Sequence, residues 1–466
     1  MRRIGVVLLL ATVAAGCGSR DAERPPTARP PTTTAQEPRR VHPAPSSTRV
    51  VVTVVDGDTG RRVRGASVRV GRLADRANRK GNAELHLRRR APLVVSVAAR
   101  GYAPRSVRMP FQRRRRVVVR VYQPGLQWPM YGATPVRDQA HPAIGVRPPF
   151  RLVWSRGLGA LVEFPAVVSD GVAYVGNNRG SVYAVSMRNG AVVWRHDVRR
   201  GKMAASPAVV GDALVVHGMD GVVRVLDRAT GRLRFAVRVG SPIESSPLVR
   251  DRIDYFGAWN GNVYALDLRT RRFRWVHRGG AKITSSAALA GRTLFIGDYA
   301  GRLLALAPGS GRLRWSRAVN GRIYGTPAVW GNRVFVPSSD GGSLTAFTTG
   351  GRYLWRIHTG SYVYSSPAVW AGRVFFGSYN GLLYCVSAWS GRVGWTVQTG
   401  GAVSGAPAVV AGVVYAGSFS HRILGVDART GRVLLRFPHG EYVPVSGSGG
   451  RLLLHGYSRL YAVEPV

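Results

Sequence analysis

Two stretches at the same phase of a repeat decide the fold: PSSDGGSLTAFTTGGRYLW, from Pro337 to Trp355, and GSYNGLLYCVSAWSGRVGW, from Gly377 to Trp395. Each runs through a glycine-containing turn and an apolar strand to a closing tryptophan. A tryptophan or a bulky substitute recurs every 40 or 41 residues, at Trp154, Trp194, Phe235, Trp275, Trp315, Trp355, Trp395 and Leu435. A second marker, often within Ser-Pro-Ala-Val, recurs at Pro165, Pro207, Pro247, Ala287, Pro327, Pro367, Pro407 and Pro444. A period near 40 that holds four short strands predicts a β-propeller, here with eight blades.

The two ends of the repeat predict how the ring closes. The first unit begins with an additional tryptophan strand, RLVWSRGL, whereas the chain ends at LYAVEPV with no such strand after it. We therefore expect residues near Trp154 to pair beside Leu460 to Val463. This pairing would complete the eighth blade and remove the sheet edges that an open array exposes.

The stretches VYALDLRT, VRVLDRATGRLRF and GVDARTGRV, with the recurring SPAVV and the closing tryptophan, resemble the PQQ-like β-propeller repeat family. The lead-in WPMYGATPVRDQAHP, from Trp128 to Pro142, is similar to the segment before the first blade in that family. We expect the tryptophan rings to pack between neighbouring blades. We also expect Asp227, Asp267 and Asp427 to accept hydrogen bonds in turns, a structural role.

The resemblance includes two kinds of protein. Quinoprotein dehydrogenases bind pyrroloquinoline quinone and calcium and carry an adjacent cysteine pair, whereas this chain has only Cys17 and Cys385. The other kind is a lipid-anchored scaffold typified by the β-barrel assembly lipoprotein of Gram-negative bacteria, which has eight blades and no cofactor. The sequence also contains no H-E-x-x-H, G-x-S-x-G or P-loop motif. We therefore expect no enzyme activity, quinone, calcium or other metal, with the dehydrogenase as the alternative.

Composition points to a folded, strongly basic protein. The 466 residues are 45% hydrophobic, and 67 basic against 23 acidic residues give a net charge of +44. Only Lys80, Lys202 and Lys282 are lysines, so the bias is one of arginine. It fits either a high-GC codon preference with charge serving solubility, or attraction to an anionic polymer or lipid headgroup. No nucleic-acid-binding motif is present, so nucleic acid is not an expected partner.

The N-terminus indicates export. MRRIGVVLLLATVAAGC has a basic start, about ten apolar residues and small residues before Cys17, the pattern of a signal peptide over 1–17. Its end resembles a lipoprotein lipobox, which implies lipidation of Cys17; simple cleavage is the alternative. Residues 18–47 are rich in proline, threonine and serine, and predict a disordered tether. We therefore expect an extracytoplasmic lipoprotein anchored to the membrane of the cell envelope.

Residues 48–122 alternate apolar and polar side chains in short runs, which predicts a small β-sandwich. VVDGDTGRRVRGASVRV and VAARGYAPRSVRM resemble the carboxypeptidase regulatory-like domain, a family that implies a spacer or adhesive module without catalysis. Between Arg49 and Arg120 there are 20 basic and 4 acidic residues, a net +16. Runs such as Arg88 to Arg90 and Arg113 to Arg116 either protect sheet edges or contact anionic wall polymer or lipid headgroups.

A candidate binding face lies at one end of the predicted propeller. Loops that enter the innermost strands and loops that join second to third strands meet at that end, and they are rich in aromatic residues. The candidate residues are Trp259, Tyr299, Tyr324, Tyr362, Tyr364, Tyr379, Phe419 and Tyr442, with Lys202, Lys282 and Arg322 nearby. Such a surface suits a sugar, an extended peptide or a partner loop; alternatively, some of the rings pack against adjacent blades.

These observations predict an all-β protein: the sandwich over 48–122, a lead-in linker over 123–150 and the eight-bladed propeller over 151–466. The predicted function is that of a non-catalytic binding or scaffold protein, with envelope proteins or anionic envelope polymers as partners. A carbohydrate-binding cell-wall protein is a further alternative, which shares this architecture and differs in ligand.

Overall fold

A computed structural model describes residues 48–87, 93–109, 116–198 and 201–466. The predicted signal peptide, Cys17 and the tether lie outside the described residues, as do Arg88 to Arg90 and Arg113 to Arg115. Within the described part of the chain, no helix has the length and apolar character needed to cross a membrane.

The N-terminal part is a seven-stranded β-sandwich, and the alternating pattern forms it as predicted. Its strands are β1 (Thr48–Asp56), β2 (Ser67–Val70), β3 (Leu73–Arg76), β4 (Asn82–Leu87), β5 (Leu93–Ala98), β6 (Arg105–Met109) and β7 (Arg116–Val121). One sheet has the order β4-β1-β7, with β1 parallel to β7, and the other has the order β3-β2-β5-β6. Alternate side chains such as Val52, Val54 and Val68 form its own apolar core. That this sandwich belongs to the carboxypeptidase regulatory-like family stays a prediction.

A short connection follows the sandwich. It contains one 3-10 turn (Pro124–Leu126), β8 (Ala140–His141) and β9 (Phe150–Gly157).

The rest of the chain forms antiparallel blades of four strands, as the repeat predicts. Blade 1 contains β10 (Val167–Ser169), β11 (Val172–Gly176), β12 (Ser181–Ser186) and β13 (Val192–Asp197). Blade 2 contains β14 (Ala208–Val210), β15 (Ala213–His217), β16 (Val222–Asp227) and β17 (Leu233–Arg238). Blade 3 contains β18 (Leu248–Arg250), β19 (Ile253–Gly257), β20 (Asn262–Asp267) and β21 (Arg272–Arg278). Blade 4 contains β22 (Ala288–Ala290), β23 (Thr293–Gly297), β24 (Arg302–Leu306) and β25 (Leu313–Ala318).

The remaining blades continue the pattern to the C-terminus. Blade 5 contains β26 (Ala328–Trp330), β27 (Arg333–Ser338), β28 (Ser343–Thr348) and β29 (Tyr353–His358). Blade 6 contains β30 (Ala368–Trp370), β31 (Arg373–Gly377), β32 (Leu382–Ser387) and β33 (Val393–Gln398). Blade 7 contains β34 (Ala408–Val410), β35 (Val413–Ser418), β36 (Arg422–Asp427) and β37 (Val433–Phe437). Blade 8 contains β38 (Val445–Ser448), β39 (Arg451–His455) and β40 (Arg459–Pro465).

The eighth blade obtains its fourth strand from the start of the propeller. β9 pairs antiparallel with β40, and Trp154 lies opposite Ala462 in the register. The ring therefore closes through the pairing expected from the sequence, and the eight-bladed fold is confirmed.

Five outer-strand tryptophans, at positions 154, 194, 275, 315 and 355, donate a hydrogen bond to a main-chain carbonyl of the next blade. The indole N–H of Trp194 donates to the carbonyl of Arg228 at 3.0 Å, and that of Trp275 donates to Pro308 at 2.8 Å. The Trp275 ring also covers Gly311, where an added Cβ would meet the ring at 2.5 Å. This position therefore needs glycine both for its φ of +69° and for the close approach of the ring.

The segment predicted as a lead-in linker lies inside the propeller. Between Trp128 and Gln139 it follows the inner edges of the innermost strands and accepts backbone hydrogen bonds from successive blades. The donors are the N–H groups of Val168, Val209, Leu289, Val329, Val369 and Val409, in blades 1, 2, 4, 5, 6 and 7. Its last part, β8, pairs in parallel with β34. We call residues 128–141 the channel segment, because they occupy the centre of the ring.

Arg137 anchors the channel segment at blades 3 and 4. Its side chain is fully buried, and Nε donates to the carbonyl of Ala287 at 2.9 Å while Nη2 donates to Pro247 at 2.9 Å. Nη1 donates to the carbonyl of Tyr131 within the segment itself. Among the described residues this guanidinium makes no ion pair, so main-chain carbonyls satisfy a buried charge, and burial lowers its pKa to about 10.

The sandwich rests on the propeller at the turns between the first two strands of blades 1 and 8. Gln127 bridges the two parts, because its amide donates to Asp58 at 2.9 Å and accepts from the N–H of Asp170 at 3.0 Å. Gly450, in the turn of blade 8, leaves no room for a side chain beside the backbone of Asp58. This contact lies at the end of the propeller opposite the predicted binding face.

Candidate functional site

A cavity opens on the predicted binding face, at the mouth of the central channel. It has a volume of about 290 Å³ and is formed by the loops that lead into the innermost strands and the turns between second and third strands. Three residues before the marker, at equivalent positions of successive blades, Glu244, Thr284, Tyr324, Tyr364 and Ser404 all line it. The repeat thus presents one variable side chain per blade to a common space.

Aromatic rings form a continuous arc along one side of this cavity. Tyr364 lies 5.4 Å from Tyr324 and 5.0 Å from Tyr379, measured between ring centroids. Phe419 continues the arc, at 5.7 Å from both Tyr379 and Tyr442. We call these five residues the aromatic arc. Such contacts hold the rings in place, and all five residues line the cavity.

Two acidic side chains, Glu163 and Glu244, also line the cavity. Glu244 is buried, and its carboxylate accepts hydrogen bonds from the Tyr324 hydroxyl at 2.7 Å and the Trp259 indole N–H at 3.0 Å. Burial raises the pKa of Glu244, which the two donors partly offset. Burial and the nearby carboxylate of Glu244 raise the pKa of Tyr324 as well. Glu163 also lines the cavity and forms an ion pair with Lys202 at 3.3 Å.

Cationic side chains lie on the rim. The Lys282 ammonium is 3.4 Å from the centroid of the Trp259 ring and 4.9 Å from that of Tyr299. Arg322 pairs with Asp340 at 3.0 Å and also lies over Tyr299. The rim therefore already holds two cations against aromatic faces.

The base of the cavity is made by the channel segment and a ring of hydroxyl groups. Tyr131 lines the cavity, and its hydroxyl donates to Ser366 Oγ at 3.2 Å. One hydroxyl per blade accepts from the backbone N–H of the blade before it, with 40 residues between donor and acceptor: Ser246, Ser286, Thr326 and Ser366. These hydroxyl groups connect neighbouring blades.

The structure divides the candidate residues into two groups. The five residues of the aromatic arc line the cavity, whereas the rim holds Trp259, Tyr299, Tyr362, Lys202, Lys282 and Arg322. Tyr362 is 48% exposed and contacts the arc at Tyr364 and Tyr379.

Sequence reasoning missed Glu163, Phe164, Tyr131 and Glu244 as lining residues. Glu244 could have been found, because it occupies the same repeat position as Tyr324 and Tyr364. Tyr131 could not, because no repeat pattern shows that the channel segment runs beneath the loops.

A quinone held by calcium would need a particular set of ligands in this lining. Calcium takes six to eight oxygen ligands, several of them carboxylates. In the described ranges no group of three or more His, Cys, Asp or Glu side chains could hold a metal ion. Both oxygens of Glu244 already accept from Trp259 and Tyr324, and Glu163 faces Lys202. The lining residues do not fit such a group.

The fold and the cavity define a class: an eight-bladed β-propeller with a segment of its own chain in the central channel and a small aromatic and acidic cavity at one end. The family model described as outer membrane protein assembly factor BamB matches residues 151–285, 259–363 and 342–463, and the chain belongs to this family. The predicted PQQ-like propeller is thereby confirmed.

Individual relatives are distant. The BamB proteins of Shewanella oneidensis and Yersinia pestis are 28% identical over 103 residues and 26% identical over 125 residues. These alignments cover 22% and 23% of this chain, and they span only 25% and 32% of the two relatives.

Solved structures share the fold. BamB from Moraxella catarrhalis has a TM-score of 0.59 at 18% identity, over 68% of this chain and 99% of that one. The quinohemoprotein alcohol dehydrogenase of Comamonas testosteroni has a TM-score of 0.63 at 15% identity, over 72% and 80%. At these identities the likeness concerns the fold alone.

Proposed function

We propose that this chain is a non-catalytic interaction scaffold of the cell envelope, and that the face around the cavity binds a protein partner. The observation that carries the proposal is the aromatic arc, which is built by loops from four blades and opens to solvent. Exposed aromatic rings such as Tyr362 and Phe419 are the side chains that supply most binding energy at protein interfaces. The relatives are named as outer membrane protein assembly factors, a role carried out among envelope proteins.

The hydroxyl and thiol groups of the described residues support a binding role over a catalytic one. The hydroxyls at its base are engaged between blades, as in the hydrogen bond from Thr326 N–H to Ser366 at 2.8 Å. Cys385, the one thiol among the described residues, is buried in blade 6, and burial raises its pKa to about 12. A thiol with such a pKa is protonated at neutral pH and is a poor nucleophile.

The location follows from the same proposal. Lipidation at Cys17 would attach the chain to a membrane, and residues 18–47 would serve as the tether. The sandwich contacts the turns of blades 1 and 8 at the other end of the propeller, so it does not cover the face that contains the cavity. The basic sandwich would add contact with anionic polymer or lipid headgroups, since its only ion pair within the described ranges joins Arg49 and Glu84.

Site-directed photo-crosslinking on cells tests the proposal. A photoreactive amino acid at Tyr362, on the rim, is expected to capture one envelope protein. The same group at Tyr353, which is 53% exposed on the outer strand of blade 5, is the control and is expected to capture nothing specific. Tyr364→Ala should abolish the capture from position 362, because it interrupts the aromatic arc.

Two results would contradict this function. Equal products from positions 362 and 353 would show that the face has no special role. Stoichiometric binding of pyrroloquinoline quinone by the purified chain in calcium would instead establish the quinoprotein alternative.

A further inference from the structure

We propose that the cavity receives a cationic side chain, arginine or lysine, from a loop of the partner protein. This inference rests on the proposed function and specifies the chemistry that the same site recognises. It is carried by the charge of the lining, the arrangement of the aromatic rings and the size of the cavity.

The lining has the opposite charge to the rest of the chain. Its 18 residues include two acidic side chains, Glu163 and Glu244, and no lysine or arginine. At the chain's average of 67 basic residues in 466, two or three of these positions would be basic. In a strongly basic protein the lining of this cavity thus has no cation and two carboxylates, that of Glu244 buried and that of Glu163 partly buried. Such a site attracts a positive group.

The rings around the cavity suit a cation equally well. Seven of the lining residues are aromatic: the aromatic arc together with Tyr131 and Phe164. The face of an aromatic ring is electronegative and attracts an ammonium or guanidinium group within about 6 Å. The rim shows this interaction within the protein itself, since the Lys282 ammonium lies 3.4 Å from the Trp259 ring centroid.

The size of the cavity limits what enters it. About 290 Å³ lies at the lower end of the range for small-ligand pockets, which is roughly 300–1,000 Å³. One long side chain fits, whereas a folded loop must remain on the rim. There the exposed rings of Tyr362, Trp259 and Phe419 would contact residues next to the inserted side chain.

The two carboxylates would act differently. Glu244 is held by the Trp259 and Tyr324 donors, so it supplies a fixed negative charge without moving. Glu163 is paired with Lys202, whose side chain is 45% exposed, and a guest cation would replace that lysine. The charged or titratable groups facing Glu244 are Glu163, Lys282 and Tyr324, and its pKa is raised by burial. Binding is therefore expected to weaken as the pH falls and Glu244 gains a proton.

The test uses small probes and the full chain. N-acetyl-arginine amide and the neutral N-acetyl-citrulline amide have nearly the same shape and differ in charge. We expect the arginine probe to bind at least tenfold more tightly in a calorimetric or ligand-observed NMR titration. Glu244→Gln should remove most of this preference, because glutamine keeps the size and hydrogen-bonding groups of the side chain and loses the charge. If that variant is unfolded, Glu163→Gln makes the same comparison.

Glu441→Gln is the matched control. Glu441 is acidic, lies beside Tyr442 on the same face and is not part of the lining. Its substitution should leave the preference for arginine unchanged. Equal affinity for the two probes, or an equal loss in the Glu441 and Glu244 variants, would overturn the inference.

The outcomes also separate this inference from the function on which it rests. If arginine has no advantage but Tyr364→Ala still abolishes crosslinking from position 362, the face binds a partner without a cationic side chain. If crosslinking is also unaffected by Tyr364→Ala, the proposed function itself fails.

Discussion

Replacement of Arg137 by methionine tests whether this side chain locks the channel segment in the ring. Methionine retains most of the apolar stem and removes all five N–H donors. The carbonyls of Ala287, Pro247 and Tyr131 then remain in place, buried and without their donor. The change therefore differs from replacing a buried ion pair by apolar residues, which removes both partners and is often harmless.

The structure allows the cost to be estimated. A hydrogen bond from a charged group contributes about 1.5–3 kcal/mol net. Removal of a buried cation also relieves its own desolvation, which is the reason that burial lowers the pKa of Arg137 to about 10. We therefore take the lower value for each of the three bonds and expect a loss of about 4.5 kcal/mol. That corresponds to roughly a thousandfold change in an opening equilibrium.

Hydrogen exchange measured by mass spectrometry reports this opening directly. The amides of Leu289 and Val329 donate to the channel segment in blades 4 and 5, so their exchange should accelerate by about that factor. Arg147→Met, at a half-exposed arginine 3.7 Å from Asp427, is the control and should leave these amides unchanged. Wild-type protection at both amides in the Arg137 variant would refute the anchoring role.

Two further predictions concern the stability of the propeller. Gly311→Ala should lower the free energy of unfolding by about 2 kcal/mol more than Gly291→Ala, and its urea midpoint should be correspondingly lower. Both positions have positive φ, but only at Gly311 would the new Cβ meet Trp275. Equal midpoints would show that the ring of Trp275 moves freely. His455 is fully buried and its Nε2 accepts from the N–H of Ala166 at 3.0 Å, while burial lowers its pKa to about 4. Between pH 6.5 and pH 4 the unfolded state binds more protons, so stability falls through this window by about 3 kcal/mol. His455→Gln should flatten that part of the urea midpoint profile against pH; an unchanged slope would contradict the assignment.

The fold was predictable because the same packing contact recurs from blade to blade. A tryptophan that must cover the glycine turn of the next blade recurs with the period of the blade, so Trp194 and Trp275 reveal the unit without any structure. Ring closure was predictable for a related reason, since Trp154 has its own strand and no partner until β40. Both features depend on residues that the repeat keeps at fixed spacing.

The cavity was only partly predictable, because its residues are those that the repeat does not keep. Tyr324 and Tyr364 were identifiable as large aromatic residues in a loop, whereas Glu244, at the same repeat position, was not identified. Its burial results from two donors, Trp259 and Tyr324, which come from different blades. The channel segment lies outside the repeat altogether, and its path depends on backbone carbonyls that any sequence possesses.

The channel segment also has a consequence for how this propeller can change over generations. Its carbonyls accept hydrogen bonds from the blades in order, from Pro129 at blade 2 to Gln139 at blade 7. Blade 3 is the exception, because there the side chain of Arg137 makes the contact. Duplication or deletion of a blade, the usual route by which repeat proteins gain and lose units, would put every later contact out of step. Because the channel segment has a fixed length and contacts the blades in sequence, it constrains the number of blades to eight.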